Sequence, residues 1–504
     1  MSLINVSDLS FAYDGSYDYV FEHVSFQLDS DWRLGFTGRN GRGKTTFLRL
    51  LLGEYAYEGS ISASVEFAYF PYPVGDMSRL TMNILEEIDE ELEYWQIARE
   101  LSALECDEDI LYRPFETLSN GERTKALLAV LFLKENAFLL IDEPTNHLDM
   151  HGREVLSRYL KSKKGFILVS HDRSFLDGCI DHILSINRSD IEIQRGNFST
   201  WYVNKERQDS FARAENARLQ GQIAHLESAI REKGAGADAI EARKRGSGSE
   251  NSRYLKAGAM AKMAAKSKKL QSQRKSFEKR QQRALDEKEG LLNNIEYNEE
   301  LKLAQLPYFS NRLLECRELS VDYGSGAIFA PVSFTVERGD RIALLGRNGS
   351  GKSSLLKLIM GQEIPHGGVL ELGSRLRISY VPQDSSRLEG ALNDYAALCG
   401  IDDTLFKTIL RKMDFSRSLF ERDMRSLSEG QKKKVLLARS LCEEAHLHIW
   451  DEPMNYVDVI SRMQIEELLI HYRPTIIFVE HDRAFCERVA TKSVELKKSE
   501  FFKI

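Results

Sequence analysis

Residues 38–52 read GRNGRGKTTFLRLLL, and residues 346–360 read GRNGSGKSSLLKLIM. Each follows an apolar run, RLGFT at 33–37 or RIALL at 341–345, and each leads into an apolar helical pattern. Strand, glycine loop and helix in that order form a P-loop, whose backbone N–H groups and helix amino terminus converge on phosphate oxygens. Gly38, Gly41 and Gly43, and likewise Gly346, Gly349 and Gly351, let the chain come close to a ligand, with Asn40 and Asn348 in the same loops. Lys44 and Lys352 supply the cation for the outer phosphates. Thr45 and Thr46, or Ser353 and Ser354, follow, and the hydroxyls of Thr45 and Ser353 can reach a magnesium ion.

Working outward, the two stretches belong to a repeat. LSNGE at 118–122 matches LSEGQ at 427–431, LLIDEP at 139–144 matches HIWDEP at 448–453, and SHDRSF at 170–175 matches EHDRAF at 480–485. The offset stays nearly constant, so two copies of one domain are expected, over 1–203 and 305–504. Each alternates strand and helix patterns, which predicts an α/β fold with a mainly parallel sheet and the ligand at the carboxyl ends of its strands. The Glu- and Leu-rich stretch near 77–113 reads as an amphipathic helical insert. Asp142 and Asp451, ending apolar runs, are placed to hold the metal. Glu143 and Glu452 are placed to polarise the attacking water. His171 and His481 close further apolar runs, where an imidazole can bond the γ-phosphate. Matched recurrence in both copies separates these residues from ordinary surface histidines and Gly-rich turns.

Residues 204–304 occur once. Leu219, Ile223, Leu226 and Ile230 recur at spacings of four, three and four, and Leu270, Phe277 and Ala284 every seven, with a Gly- and Ser-rich stretch between. That pattern predicts an antiparallel helical-hairpin linker with its tip near 234–258. Fourteen basic and two acidic side chains lie between 243 and 283, although the whole chain carries a formal net charge of −7. A solvated helix face usually alternates its signs, whereas segregated positive charge fits phosphate-bearing partners. The six cysteines (Cys106, Cys179, Cys316, Cys399, Cys442 and Cys486) are scattered without zinc spacing, as expected of free thiols in a reducing compartment. No apolar run reaches the roughly 18–20 residues of a membrane-spanning helix, and MSLINVSDLSFAYD lacks a leader pattern, so a cytoplasmic protein is expected.

LSNGE and LSEGQ resemble the signature of ATP-binding-cassette ATPases, in which paired cassettes sandwich each ATP between one P-loop and the opposite signature. The resemblance implies a first site built from Lys44, Thr45, Asp142, Glu143 and His171 with Ser428 and Gly430. A second would combine Lys352, Ser353, Gln383, Asp451, Glu452 and His481 with Ser119 and Gly121. Tyr13 and Tyr323 become candidates for adenine stacking, and Thr45, Asp142, Ser353, Gln383 and Asp451 for magnesium. The copies differ: FPYP puts Tyr72 where VPQD has Gln383, and DEPMNYVD replaces DEPTNHLD, so two unequal sites are expected.

Two fused cassettes, DEPTNHLD and a basic hairpin between them resemble, over essentially the whole chain, the ABC-F family of ribosome-associated ATPases. The resemblance implies ATP and Mg2+ as cofactors and a monomer with intramolecular cassette pairing. It implies a linker entering the 70S exit site toward 23S rRNA of the peptidyl-transferase centre and P-site tRNA, with no membrane and no DNA partner. RYLKAGAMAKMAAKSKK resembles the family's return limb, which makes Arg243, Lys244, Arg245, Arg253, Tyr254, Lys256, Lys262, Lys266, Lys268 and Lys269 RNA-binding candidates. LSFAYD, GRNGRGKTT, the long interhelical loop and an end at Ile504 look most similar to the antibiotic-resistance group acting on lincosamides, streptogramins A and pleuromutilins. A housekeeping ABC-F translation factor is the alternative. An ABC transporter subunit would leave the basic hairpin without a role, and SMC- or Rad50-type ATPases carry their coiled coil inside one cassette.

Overall fold

Five-residue runs such as RLGFT bury both faces, so they form interior strands of parallel sheets rather than alternating surface strands. The computed structural model describes residues 2–15, 19–146, 148–187, 190–212, 214–222, 301–303, 305–324 and 326–499. One compact unit comprises Met1–Trp201 and Asn298–Ile504, and the other Tyr202–Tyr297. In the first unit each cassette is built on a parallel sheet. The strands of the first are β1 (Leu3–Phe11), β2 (Phe21–Asp29), β3 (Arg33–Thr37), β4 (Glu58–Ser62), β5 (Glu66–Phe70), β6 (Ala137–Asp142), β7 (Phe166–Val169), β8 (His182–Asn187) and β9 (Asp190–Arg195). Those of the second are β10 (Arg312–Val321), β11 (Val332–Glu337), β12 (Arg341–Leu345), β13 (His366–Leu372), β14 (Ile378–Val381), β15 (Leu447–Asp451), β16 (Ile476–Val479) and β17 (Lys492–Glu495).

The sheet orders are β5-β6-β7-β3-β8-β9 and β14-β15-β16-β12-β17. All pairings are parallel except β8 with β9. Parallel alignment brings the ends of β3, β6 and β7 to one edge, which puts the P-loop beside Asp142 and the turn carrying His171. A three-stranded antiparallel sheet, β2-β1-β4 or β11-β10-β13, accompanies each cassette. The antiparallel sheets carry no clear signal in the sequence, because half-buried strands such as β1 alternate only irregularly, their burial breaking step at the register shifts.

The P-loop helices Lys44–Leu51 and Lys352–Ile359 are capped at their amino ends by Gly43 and Gly351, with φ of 92° and 87°. A Cβ there would also run into Val20 at 2.6 Å and Phe329 at 2.8 Å, so both conformation and space select glycine. Phe47 anchors the first helix, its ring centroid 5.5 Å from Phe36, 5.8 Å from Phe26 and 5.9 Å from Phe21. It thereby ties the helix to both sheets. The acidic insert forms two helices, Thr81–Ile88 and Tyr94–Ala103, the second starting at a capping box between Glu93 and Gln96.

Residues 198–212 and 214–222 are helical. The remaining linker positions that carry the heptad seams, Ile223 to Ile230 and Leu270 to Ala284, and the tip at 234–258 lie outside the described residues.

Replacing Phe47 by Ala removes the side chain that joins two sheets to the P-loop helix. A loss of about 3–5 kcal/mol is expected. Thermal denaturation should show the transition assigned to the first cassette falling, with the transition of the second nearly unmoved.

Candidate nucleotide sites

Each P-loop lysine is turned back on its own loop. Lys44 Nζ donates to the carbonyls of Gly38 at 2.6 Å and Arg39 at 3.2 Å, and Lys352 Nζ to those of Gly346 at 2.8 Å and Arg347 at 3.0 Å. Burial pushes both ammonium groups below their ordinary range, while neighbouring acids oppose that shift. A cation held only by neutral carbonyls in a buried cradle is well disposed to accept phosphate oxygens. Tyr13 and Tyr323 are 45% and 56% exposed, so neither belongs to the core. Their hydroxyls reach equivalent positions, Thr46 Oγ1 at 2.6 Å and Ser354 Oγ at 3.2 Å, which ties both rings to the P-loop helices; the Tyr13 ring also packs nearly at right angles against Phe11 and Tyr55.

The acids lie where the strand ends predict. Thr45 Oγ1 donates to Asp142 Oδ2 at 3.0 Å, and the Ser353 hydroxyl likewise bonds Asp451. Asp451 Oδ1 is buried with no partner, and burial raises the proton affinity of both aspartates. A hydroxyl, a carboxylate with a spare buried oxygen and the Gln383 amide form a hard oxygen donor set, the kind that suits magnesium. Tyr72, a phenol, offers no amide at the matching position of the first cassette. Instead Tyr69, which sequence reading passed over, donates to Asp142 Oδ2 at 3.1 Å.

Glu143 and Glu452 share a left-handed backbone, φ 52° and 48°, an uncommon state for a residue with a side chain. Their surroundings differ. Glu452 Oε2 accepts from Gln383 Nε2 at 2.8 Å and Asn455 Nδ2 at 2.7 Å, and Oε1 lies 3.3 Å from His481 Nε2. Burial alone would raise its pKa, but these bonds together with the charges of His481 and Lys352 hold it down at about 2. Glu143 Oε1 is 3.2 Å from His171 Nε2 yet out of hydrogen-bond alignment, so it stays unsatisfied. Burial, reinforced by the adjacent Asp142 charge, pushes Glu143 up to about 8, and burial holds His171 well below the usual imidazole range.

The cassettes meet head to tail. A cavity of about 1010 Å³ is lined on one side by Gly349, Lys352 and Ser353 and on the other by Ser119, Gly121 and Asp149, with Gln383, Glu452 and His481 at its floor. Both signature serines cap their helices in capping boxes, Ser119 with Glu122 and Ser428 with Gln431. The opposite junction is tighter. Asn40 Nδ2 donates to the Tyr456 carbonyl at 2.8 Å, and a Cβ on Gly430 would lie 2.4 Å from that carbonyl and 3.0 Å from Asn40. Tyr456, φ 63°, stands in the DEPMNYVD loop at the position of the first copy's His147. Away from the sites, Arg173 bonds the buried Glu466, and Arg483 Nη1 donates to Glu154 at 3.0 Å across the same junction. The ten candidates between Arg243 and Lys269 lie outside the described residues.

Two parallel-sheet cassettes with P-loops facing opposite signatures define an ATP-binding-cassette ATPase. The sequence profile described as ABC transporter matches residues 21–146 and 329–455, half of the chain, and the chain belongs to that family as a twin-cassette ATP hydrolase of the ABC-F type. It is 28% identical to the ribosome protection protein VmlR of Bacillus subtilis (strain 168) over 515 residues, 99% of this chain and 87% of that protein. It is 26% identical to the probable ATP-binding protein YbiT of Escherichia coli O157:H7, over 95% of this chain and 93% of that one. The fold is shared with an archaeal ribosome recycling factor, aABCE1, solved with a stalk protein: TM-score 0.61, 18% identity, 98% of this chain and 88% of that one. No helix among the described residues is long and apolar enough to cross a membrane.

Because Gly430 has no room for a methyl group beside Tyr456 and Asn40, Gly430→Val should wedge the first site open. ATP turnover in a Glu452→Gln background, measured by phosphate release, should fall at least about 10-fold, while the melting profile stays close to that of the parent.

Proposed function

We propose that this protein acts in the cytoplasm on the 70S ribosome, closing its two cassettes around ATP and Mg2+ and releasing when ATP is hydrolysed. Full-length similarity to a ribosome protection protein carries this reading. The segregated basic charge between 243 and 283 supports it, since an otherwise acidic chain would approach RNA through that segment. In the proposed division of labour, Lys44 and Lys352 leave their loop carbonyls for the phosphates. Ser119 and Gly121, or Ser428 and Gly430, close on the γ-phosphate from the opposite cassette. Thr45 with Asp142, and Ser353 with Asp451 and Gln383, would hold magnesium, which neutralises charge on the β- and γ-phosphates. Glu143 and Glu452 orient and polarise the attacking water, and His171 and His481 bond the γ-phosphate. Glu452 is fixed by three groups that favour its ionised form, whereas burial and the adjacent Asp142 charge favour the protonated form of Glu143.

Within this reading, target protection is put first: the basic linker enters the exit site, reaches 23S rRNA and P-site tRNA near the peptidyl-transferase centre, and displaces lincosamide, streptogramin A or pleuromutilin drugs. A housekeeping translation factor is the second reading, favoured by comparable similarity to YbiT and to the putative ATP-binding protein YdiF of Bacillus subtilis. The two readings part on drug release alone.

The Glu143→Gln/Glu452→Gln protein with ATP should sediment with 70S ribosomes carrying P-site tRNA and expel bound radiolabelled lincomycin. Retention of the drug on a sedimenting complex favours the housekeeping reading, and failure to sediment removes both. Affinity should fall steeply as salt rises from 50 to 200 mM, by about 10-fold or more if a few Lys and Arg meet phosphates. Replacing residues 243–256 with a short Gly-Ser loop should abolish drug release while ATP turnover persists.

A further inference from the structure

Behind their shared motifs the two cassettes differ at three matched positions. Lys433 is the third residue after Gly430, and its counterpart after Gly121 is Thr124. Glu480 precedes His481, where the first cassette has Ser170 before His171. Met454 stands where the first cassette has Thr145. In the first cassette only two of the three meet, Thr145 Oγ1 and Ser170 Oγ at 3.3 Å, while Thr124 turns to its own helix and donates to Asn120 O at 2.9 Å.

In the second cassette two charged side chains replace these hydroxyls. Lys433 is 1% exposed, and its ammonium donates to the carbonyls of Pro382 at 2.9 Å and Glu452 at 3.2 Å. Glu480 is 3% exposed, and its carboxylate accepts the backbone N–H of Met454 at 2.7 Å and that of His481 at 3.3 Å. The grips fall on either side of Pro453, a residue with no N–H of its own to hold the turn. Pro382 immediately precedes Gln383, whose amide bonds the Glu452 carboxylate at 2.8 Å. Lys433 therefore ties together the backbones of the two loops whose side chains meet at Glu452, and Glu480 links the far end of the Glu452 loop to the His481 turn. Burying a lysine and a glutamate is costly unless each is well partnered. The fold accepts that cost at one place in each loop, around a glutamate whose left-handed backbone needs support.

We propose that Lys433 and Glu480 are positioning residues for ATP hydrolysis by the second cassette: together they hold the Gln383 loop, the Glu452 loop and the His481 turn in register, so that the Glu452 carboxylate is fixed before nucleotide arrives. They touch no substrate atom and act through Glu452. The first cassette lacks this clamp, in keeping with the unsatisfied Oε1 of Glu143.

The test uses the full chain in a Glu143→Gln background, so that single-turnover cleavage of γ-labelled ATP reports Glu452. Lys433→Thr and Glu480→Ala should each slow the cleavage step about 10- to 100-fold, the usual penalty for misplacing a reacting group by about 1 Å. Nucleotide affinity, read with a fluorescent ATP analogue, should change less than about 3-fold. Glu480→Gln, which still offers an oxygen to Met454 N–H, should recover most of the rate. The triple graft Lys433→Thr/Met454→Thr/Glu480→Ser installs a set that packs in the first cassette and serves as the control for folding; it should melt as a folded protein and cleave slowly. An unchanged rate in the graft overturns the proposal. So does parallel loss of affinity and rate, or failure of both Lys433→Thr and the graft to fold, because either result assigns the pair to stability alone.

Discussion

Neither nucleotide site can be completed by one cassette, and the contact that enforces this is short and specific. Asn40 in the first P-loop donates to the carbonyl of Tyr456, a residue 416 positions away, while Gly430 sits against both. A P-loop alone offers N–H groups and a cation; a signature alone offers a helix amino terminus capped by a serine. In the proposed function only their approach would enclose a phosphate and shed water, which strengthens every charge interaction inside. The ion pairs of Arg173 with Glu466 and Arg483 with Glu154 hold the same junction farther from the sites, and Met150 of the first cassette packs against the second core.

Given that junction, the unequal chemistry of the sites follows from local differences. Both catalytic-position glutamates have the same strained backbone, yet one carboxylate is bonded on each oxygen and the other leaves Oε1 unsatisfied. Exchange of Gln383 for Tyr72 removes an amide that bonds the second glutamate, and exchange of Thr124 and Ser170 for Lys433 and Glu480 changes what holds the loop beneath it. The consequence is electrostatic: desolvation with few partners raises a carboxyl's proton affinity, and hydrogen bonds to the carboxylate lower it. Tyr69 adds a further asymmetry by donating to Asp142, so the aspartate of the first site already has two hydroxyl partners, where Asp451 retains a free buried oxygen.

The repeat, the parallel α/β class and the residues at the strand ends are legible in the amino-acid order, because glycine loops, buried apolar runs and acids after them obey local rules of backbone access and burial. That order also shows that Tyr72 breaks the match with Gln383. Tertiary structure alone decided which of those residues meet. Nothing in the local sequence marks Tyr69, and it is the parallel pairing of β5 with β6 that puts its hydroxyl beside Asp142. Lys433 is one of three consecutive lysines on a helix, and a run of lysines is ordinarily a solvated surface. Its burial depends on packing against two loops that are distant in sequence, 51 and 19 residues away, and no periodicity in the helix itself records where those loops lie.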